Sequence, residues 1–245
     1  MTTTTPRKRS WLKWVIGGVV VVLVLVVGGP FVYIHFIEGD PPPKLSLSTT
    51  TTPTTTAGSA TGTTTGATGA SAPLTGTWKV GTGSTAGYRV KEDLFGQHAT
   101  AVGRTNSVTG SMTIAGTTAT KASFSVDMTT VSSDRSQRDG QFQGRIMDTS
   151  QYPTATFELT KPIDLAPVPK DGTIKTYPAT GKLTLHGTTK TVTIPLNTKR
   201  VGDVIQVQGI VSINFPDYNI DNPSGGPASV GNVGQMEFLL QLQRS

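Results

Sequence analysis

The chain has 245 residues, a formal net charge of +6 and no cysteine. The lack of cysteine excludes disulfides, thiolate catalysis and cysteine-ligated zinc or iron–sulfur centres. Much of the positive charge lies near the start of the chain, and 16 basic against 13 acidic residues leave residues 76–245 with a net charge of +3. No basic run with interleaved aromatic residues occurs there, so the sequence disfavours nucleic-acid binding.

Residues 14–37 form a continuous apolar stretch that follows a basic tail at 1–13. About 20 apolar residues suffice to cross the hydrocarbon core of a bilayer, and basic residues before a span stay in the cytoplasm. The pattern predicts a single-pass transmembrane signal anchor in the cell membrane, with the rest of the chain extracytoplasmic. A cleaved signal peptide is the alternative, although no A-x-A-like cleavage site follows directly.

Residues 38–75 are dominated by threonine, serine, proline, alanine and glycine. The segment has too little apolar surface to offset the conformational entropy that is lost on folding. It is therefore expected to be a disordered linker. Its composition fits an O-glycosylated stalk as well as a bare flexible spacer.

Residues 76–245 show apolar residues at every second position over many short segments separated by glycine-rich turns. This period indicates antiparallel strands with one face toward a core. The clearest case is 181–198, GKLTLHGTTKTVTIPLNT, where alternation on both sides of His186-Gly187 predicts a hairpin. One segment, 132–148, instead has a three- and four-residue spacing that predicts a short helix.

An all-β domain with this many strands closes best as an up-and-down barrel, because closure removes exposed edges. The predicted fold is an antiparallel, lipocalin-like β-barrel of about eight strands with one short helix. Its interior either is filled by side chains or holds a small apolar ligand. The interior candidates are Tyr88, Val90, Met112, Phe124, Val126, Phe157, Leu183, Leu185, Val207, Val211, Ile213, Met236 and Phe238.

Polar chemistry has few candidates in this domain. His98 and His186 are far apart in the sequence, and zinc needs three or four ligands, so no metal site is predicted. His186 is expected to face solvent in its turn. No activated serine is recognisable, and the glycines lie between strands rather than in a strand–loop–helix phosphate site.

A charged group on the predicted helix could be a solvated face or a polar rim at a cavity mouth. An arginine at such a mouth could meet the polar or phosphate head of a ligand. The rim candidates are His98, Arg135, Arg138 and Asp139.

Four segments of residues 76–245 together resemble the YceI-like family. They are SQRDGQF at 136–142, YPTATF at 152–157, GKLTLHGTTK at 181–190 and DYNI at 217–220. GKLTLHGTTK, when it follows YPTATF, is fairly specific for this family. The chain departs from the family at Gln141-Phe142, where a His-Leu pair is usual, so it lacks a histidine at this position.

The resemblance implies a lipocalin-like barrel with an elongated apolar tunnel that binds an isoprenoid chain, such as a polyprenyl lipid or a quinone. It implies an extracytoplasmic bacterial location and gives no catalytic residues. We therefore expect a membrane-tethered lipid-binding module without a cofactor rather than an enzyme. An enzyme or redox partner acting on the isoprenoid headgroup, and a structural envelope domain with a filled barrel, are the alternatives. The oligomeric state stays open, with a homodimer as one option.

Overall fold

The structure, a computed structural model, describes residues 10–23, 40–47, 73–94, 96–225 and 228–245. The first of these ranges is helix α1, Ser10–Leu23. Among the described residues, no helix combines the length and the apolar character needed to cross a membrane. The predicted span at 14–37 continues past Leu23 into residues outside the described ranges, as does most of the predicted linker.

Twelve strands occur in the described part of the folded domain. They are β1 (Gly76–Val80), β2 (Thr85–Leu94), β3 (Gln97–Thr105), β4 (Val108–Ala115), β5 (Thr118–Asp127), β6 (Thr154–Leu159), β7 (Ile163–Asp164), β8 (Ile174–Leu185), β9 (Thr188–Val201), β10 (Val204–Asn214), β11 (Ala228–Val230) and β12 (Val233–Arg244). Short 3₁₀ turns occur at Met128–Thr130 and Phe215–Tyr218.

The strands close into a barrel. Eight of them form an antiparallel ring in the order β1-β4-β5-β6-β8-β9-β10-β12, and β12 pairs back with β1. β2 pairs with another part of β12 and carries β3 on its far side. The predicted antiparallel barrel of about eight strands is confirmed.

β1 and β2 share one partner because the chain bends between them. β1 pairs with the end of β12 and β2 with its middle. Ser84 fixes the bend: its hydroxyl accepts a bond from the Gln241 backbone N–H at 2.9 Å and donates one to the Gly81 carbonyl at 2.8 Å. The chain from β1 to β2 can therefore follow the curvature of the barrel while both strands stay paired with β12.

The predicted helix is shorter than the segment 132–148. It consists of α2, Ser136–Gln141, followed by one π-helical turn at Phe142–Ile146. The Asp139 carboxylate accepts bonds from the Ser133 backbone N–H at 2.8 Å and from its hydroxyl at 2.7 Å, which ties the helix to the chain that enters it.

The predicted hairpin joins β8 and β9 through a two-residue turn. His186 and Gly187 both have positive φ, 48° and 70°, as a type I′ turn requires, and this turn matches the twist of the flanking strands. The pairing continues in register from Leu185↔Thr188 to Ile174↔Lys199. Because this register has no slip, the alternate side chains of both strands stay on one face, toward the interior.

The interior contains two apolar clusters of described residues. One, under α2, includes Val131, Phe142, Met147 and Ile220. The other surrounds Trp78 and Leu242 at the opposite end, and both of these side chains are completely buried. The space between the two clusters is where a ligand site has to be sought.

Candidate functional site

Two apolar cavities lie within the barrel, among the residues that the structure describes. The first has a volume of about 80 Å³ and the second about 90 Å³. Phe124, Phe157, Leu196 and Val207 line both of them. The cavities are therefore neighbours, separated by these four side chains.

The first cavity occupies the middle of the barrel. Its lining is almost entirely aliphatic and aromatic, as ligand sites for apolar molecules are. The lining residues come from seven strands of the closed ring and from β2. Two of them are polar, Thr156 and Glu237, and the others are Ala86, Val108, Phe124, Val126, Ala155, Phe157, Leu183, Ile194, Leu196, Val207, Val211, Met236, Phe238 and Leu240.

The second cavity extends toward the end of the barrel that Trp78 closes. It includes Met112, Ile114 and Tyr177, and it also reaches Val168, whose residue surface is 43% exposed. The lining therefore includes a residue on the outer surface, in the loop between β7 and β8. This loop is the candidate entrance for an apolar ligand.

The predicted interior residues all lie inside the barrel, in three places. Eight line the first cavity: Phe124, Val126, Phe157, Leu183, Val207, Val211, Met236 and Phe238. Met112 lines the second. Tyr88, Val90, Leu185 and Ile213 pack in the cluster under α2. Their role in ligand binding stays a prediction.

Sequence reasoning missed several lining residues. Among them are Ala86, Val108, Ala155 and Leu240, whereas Ile194 and Leu196 lie on the predicted hairpin, whose inward face was expected to line or fill the interior. The signal was present, because each shares the period-two alternation of a predicted strand. The small residues were overlooked because an alanine contributes little to an apolar pattern, although it is what leaves room for a ligand.

The end of the barrel under α2 is plugged. The rings of Tyr88 and Phe142 are stacked with their centroids 4.9 Å apart, and Phe142 belongs to the buried cluster. Phe142 is one of the two residues that replace the usual His-Leu pair. An apolar side chain suits this position because it packs on Tyr88 beneath the helix.

Three of the four predicted rim residues lie together on or beside α2, but none of the four lines either of the two cavities described here. Arg138 bonds to Asp134 and lies 3.5 Å from the Glu92 carboxylate on β2. His98 bonds to Asp93 across the β2–β3 hairpin, with its side chain 95% exposed. These contacts anchor the helix and the hairpin, and a role at a cavity mouth stays a prediction.

The charged groups around α2 surround the half-buried ring of Tyr88. Burial raises the pKa of Tyr88 from 10.0 to about 12, although the Arg138 guanidinium acts in the opposite direction. The folded protein therefore keeps this phenol protonated at a pH where an unfolded chain would release the proton.

Replacing Tyr88 with phenylalanine should make stability less sensitive to alkaline pH. Since the folded-state pKa is the higher one, this phenol contributes stability that is present below about pH 10 and is lost as pH rises toward 12. We expect the wild type to lose stability relative to Tyr88→Phe over this window. Urea unfolding of both proteins in steps of pH checks this, and parallel pH profiles would contradict it.

His186 does not face solvent in its turn, so that expectation is wrong. The residue is half-buried, and its Nδ1 lies 3.1 Å from the carbonyl oxygen of Tyr218. Its ring meets the Tyr152 ring edge-on, with centroids 4.6 Å apart. Asn219 donates to the Thr188 hydroxyl at 3.0 Å. Three of the four motif segments thus meet at one end of the barrel and hold its connections together.

The barrel is similar in fold to solved structures, and its sequence matches a known domain family. It is similar in fold to a polyisoprenoid binding domain from Saccharophagus degradans implicated in plant cell wall breakdown, with 21% identity over 70% of this chain and 99% of that one and a TM-score of 0.57. It is also similar to BcnA of Burkholderia cenocepacia, with 22% identity, coverage of 64% and 95%, and a TM-score of 0.52. No curated protein sequence matches the chain. Residues 78–242 match the YceI-like domain, and by this match, over the whole barrel, the chain belongs to the YceI-like family.

Proposed function

We propose that this chain is a membrane-tethered, extracytoplasmic binding protein that holds an isoprenoid lipid, such as a polyprenyl lipid or a quinone, inside its barrel. The observation that carries the proposal is the pair of neighbouring apolar cavities within a closed wall. A continuous hydrocarbon chain is the ligand that suits two such spaces in series. The polyisoprenoid-binding description of the Saccharophagus degradans domain supports this ligand class.

Burial of hydrocarbon is sufficient to bind such a ligand without any catalytic group. Each buried CH₂ contributes about 0.8 kcal/mol, so one five-carbon isoprene unit contributes about 4 kcal/mol. A few buried units therefore outweigh the loss of translational and rotational freedom on binding. The polar headgroup would stay near the surface, and Val168 marks the end where it would lie.

The cavity sizes imply that the barrel must adjust to its ligand. Each is smaller than the roughly 150 Å³ cavity that accommodates benzene. A chain of several isoprene units therefore fits only if the side chains between the cavities move. Phe124 and Phe157 are the two largest of these, and rotation of their rings would join the cavities into one tunnel.

Membrane attachment rests on the sequence. The apolar stretch at 14–37 follows Arg7, Lys8, Arg9 and Lys13, and the positive-inside rule then puts the barrel on the opposite side of the membrane. Isoprenoid lipids are themselves membrane components. A barrel attached beside the bilayer would take them directly from the outer leaflet.

Mass spectrometry of bound lipid tests the proposal. The full chain is reconstituted in nanodiscs that contain a polyprenyl lipid or a quinone, then trypsin releases the barrel and organic solvent extracts it. We expect an isoprenoid in the released barrel of the wild type. Finding no isoprenoid in any preparation, together with no rise in melting temperature on addition of one, would exclude this ligand class.

A further inference from the structure

Residues 40–47 lie against the outer wall of the barrel, although the sequence predicts a disordered linker there. The Arg89 Nη2 donates to the Pro42 carbonyl at 2.5 Å, and Arg104 donates to the Pro43 carbonyl. The Leu45 backbone N–H lies 3.4 Å from a carboxylate oxygen of Glu237. Three neighbouring strands, β3, β2 and β12, thus hold one short segment.

The wall beneath this segment carries a group of charges, which we name the clamp: the buried Arg89 and Glu237 and the half-buried Arg104. Glu237 is 1% exposed, and its two oxygens contact both guanidinium groups, Arg89 at 3.5 Å and Arg104 at 2.7 Å. Alternation along β12 turns the side chains of Met236 and Phe238 inward and that of Glu237 outward, although residue Glu237 also belongs to the lining of the first cavity. Arg89 and Arg104 share this outer face, because their strands pair with β12 and β2 in this register. A carboxylate on the outside of a barrel reaches this degree of burial only when something covers it.

The two guanidinium groups of the clamp have more N–H donors than Glu237 can accept, so some are available to the segment. One carboxylate cannot satisfy all the N–H groups of two guanidinium groups, each of which has five. The carbonyls of Pro42 and Pro43 take up part of this surplus. Hydrogen bonds from charged donors are stronger than those between neutral groups.

The sequence of the segment suits this contact. Proline has a carbonyl but no N–H and favours the extended polyproline II conformation, so Pro41-Pro42-Pro43 loses little entropy when it binds. Leu45 then supplies the N–H that a proline could not donate to Glu237. Proline-rich recognition elsewhere uses the same preformed geometry.

We propose that the clamp fastens the barrel to its own membrane segment and so sets its height and orientation above the bilayer. This proposal rests on the membrane attachment proposed above. Asp40 comes only three positions after Ile37, the end of the apolar stretch, which gives a reach of at most about 11 Å. A free linker over 38–75 would instead place the barrel at roughly 35 Å on average and at up to about 130 Å when extended.

Tryptic cleavage after Lys44 tests the clamp in the full chain. Lys44 is followed by Leu45, and no further lysine or arginine occurs before Lys79, so this single cut frees the barrel from its N-terminal segment. Proteolysis follows the population of the open form. We expect Arg89→Gln/Arg104→Gln/Glu237→Gln, which removes all three charges together, to be cut at least about tenfold faster than the wild type in nanodiscs.

Two controls make this result specific. Lys121→Gln removes an exposed charge elsewhere on the barrel and should leave the rate unchanged, and Lys44→Gln should abolish the cut. Cuts within the barrel report whether the triple variant is still folded. Equal rates at Lys44 in the wild type and a folded triple variant would overturn the proposal. Flotation of the uncut chain with lipid tests membrane attachment separately.

Spin labels test whether the segment binds its own barrel. The chain has no cysteine, so Ser46→Cys/Lys91→Cys can be labelled at these two exposed residues alone. We expect one narrow label-to-label distance that broadens in the triple variant. A distance that appears between mixed, singly labelled chains would show docking on a second copy and would overturn the proposal, as would a broad distribution in the wild type.

Discussion

Replacing Ala155 with phenylalanine should abolish isoprenoid binding while the barrel stays folded. Ala155 is 2% exposed and lines the first cavity from β6. The larger ring would occupy the space that a hydrocarbon chain needs. The loss of one buried isoprene unit, about 4 kcal/mol, corresponds to a decrease in affinity of about a thousandfold.

The fold should tolerate this substitution better than most small-to-large changes. Overpacking a filled core costs about 1–3 kcal/mol because neighbours are forced from their rotamers, but here the added ring enters a space of about 80 Å³. A cavity that is filled regains the dispersion contacts that its lining lacked. Thermal unfolding should therefore stay cooperative, with a midpoint close to that of the wild type.

Thr154→Phe is the matched control for this experiment. Thr154 is on the same strand, one position from Ala155, and is exposed on the outer face. It introduces the same ring without changing the interior. The barrels of both variants and of the wild type are released by trypsin from identical nanodiscs and then extracted, and only the released wild-type and Thr154→Phe barrels should contain isoprenoid. Equal lipid in Ala155→Phe would show that the ligand does not occupy this cavity.

Gly110→Ala should destabilise the domain by about 3–5 kcal/mol, a large part of the total stability of a domain of this size. Gly110 has a φ of 138°, which side chains rarely adopt. A Cβ there would lie 2.3 Å from the Ser123 carbonyl oxygen and 2.7 Å from the Phe124 Cα. Both are backbone atoms of β5, so no side chain can move aside to relieve the clash.

Substitutions at two other glycines distinguish the cost of backbone strain from the cost of a steric clash. Gly116 has a φ of 59° but no atom within 4 Å of an added Cβ, so Gly116→Ala should cost only the backbone strain, about 1–2 kcal/mol. Gly140, in α2, meets nothing within 4 Å and has no positive φ, so Gly140→Ala should gain up to about 1 kcal/mol. Urea unfolding of the three variants checks this order, and a Gly110→Ala protein as stable as Gly116→Ala would contradict it.

The architecture was predictable from the sequence because its signals are local. Alternation along β8, β9, β10 and β12 shows both the strands and the face that each turns inward. The type I′ turn at His186-Gly187 also follows from its position between two alternating runs, since the second turn residue is glycine. Closure of the barrel followed from the number of strands.

The polar contacts and the two cavities depend on residues that are far apart in the chain. Glu237 and Arg89 are 148 positions apart, and no pattern near either one indicates the other. The partnership of His186 with Tyr218 is similar, because a turn histidine in isolation is expected to face solvent. The two cavities depend on how Phe124 and Phe157 pack across the interior, and alternation predicts which side a residue is on but not the space it leaves.

The docked segment at 40–47 changes the energetics of the chain that follows it. Leu47 ends this segment, and the Pro73 carbonyl accepts a hydrogen bond from Arg244, so the two points between which residues 48–72 run are both at the barrel. The entropy of closing a loop grows only with the logarithm of its length, so doubling the number of residues costs about 0.6 kcal/mol. Insertions, deletions or sugar chains on its many threonines would therefore change stability little, and the length of this stretch can vary while residues 40–47 stay in contact with the barrel wall.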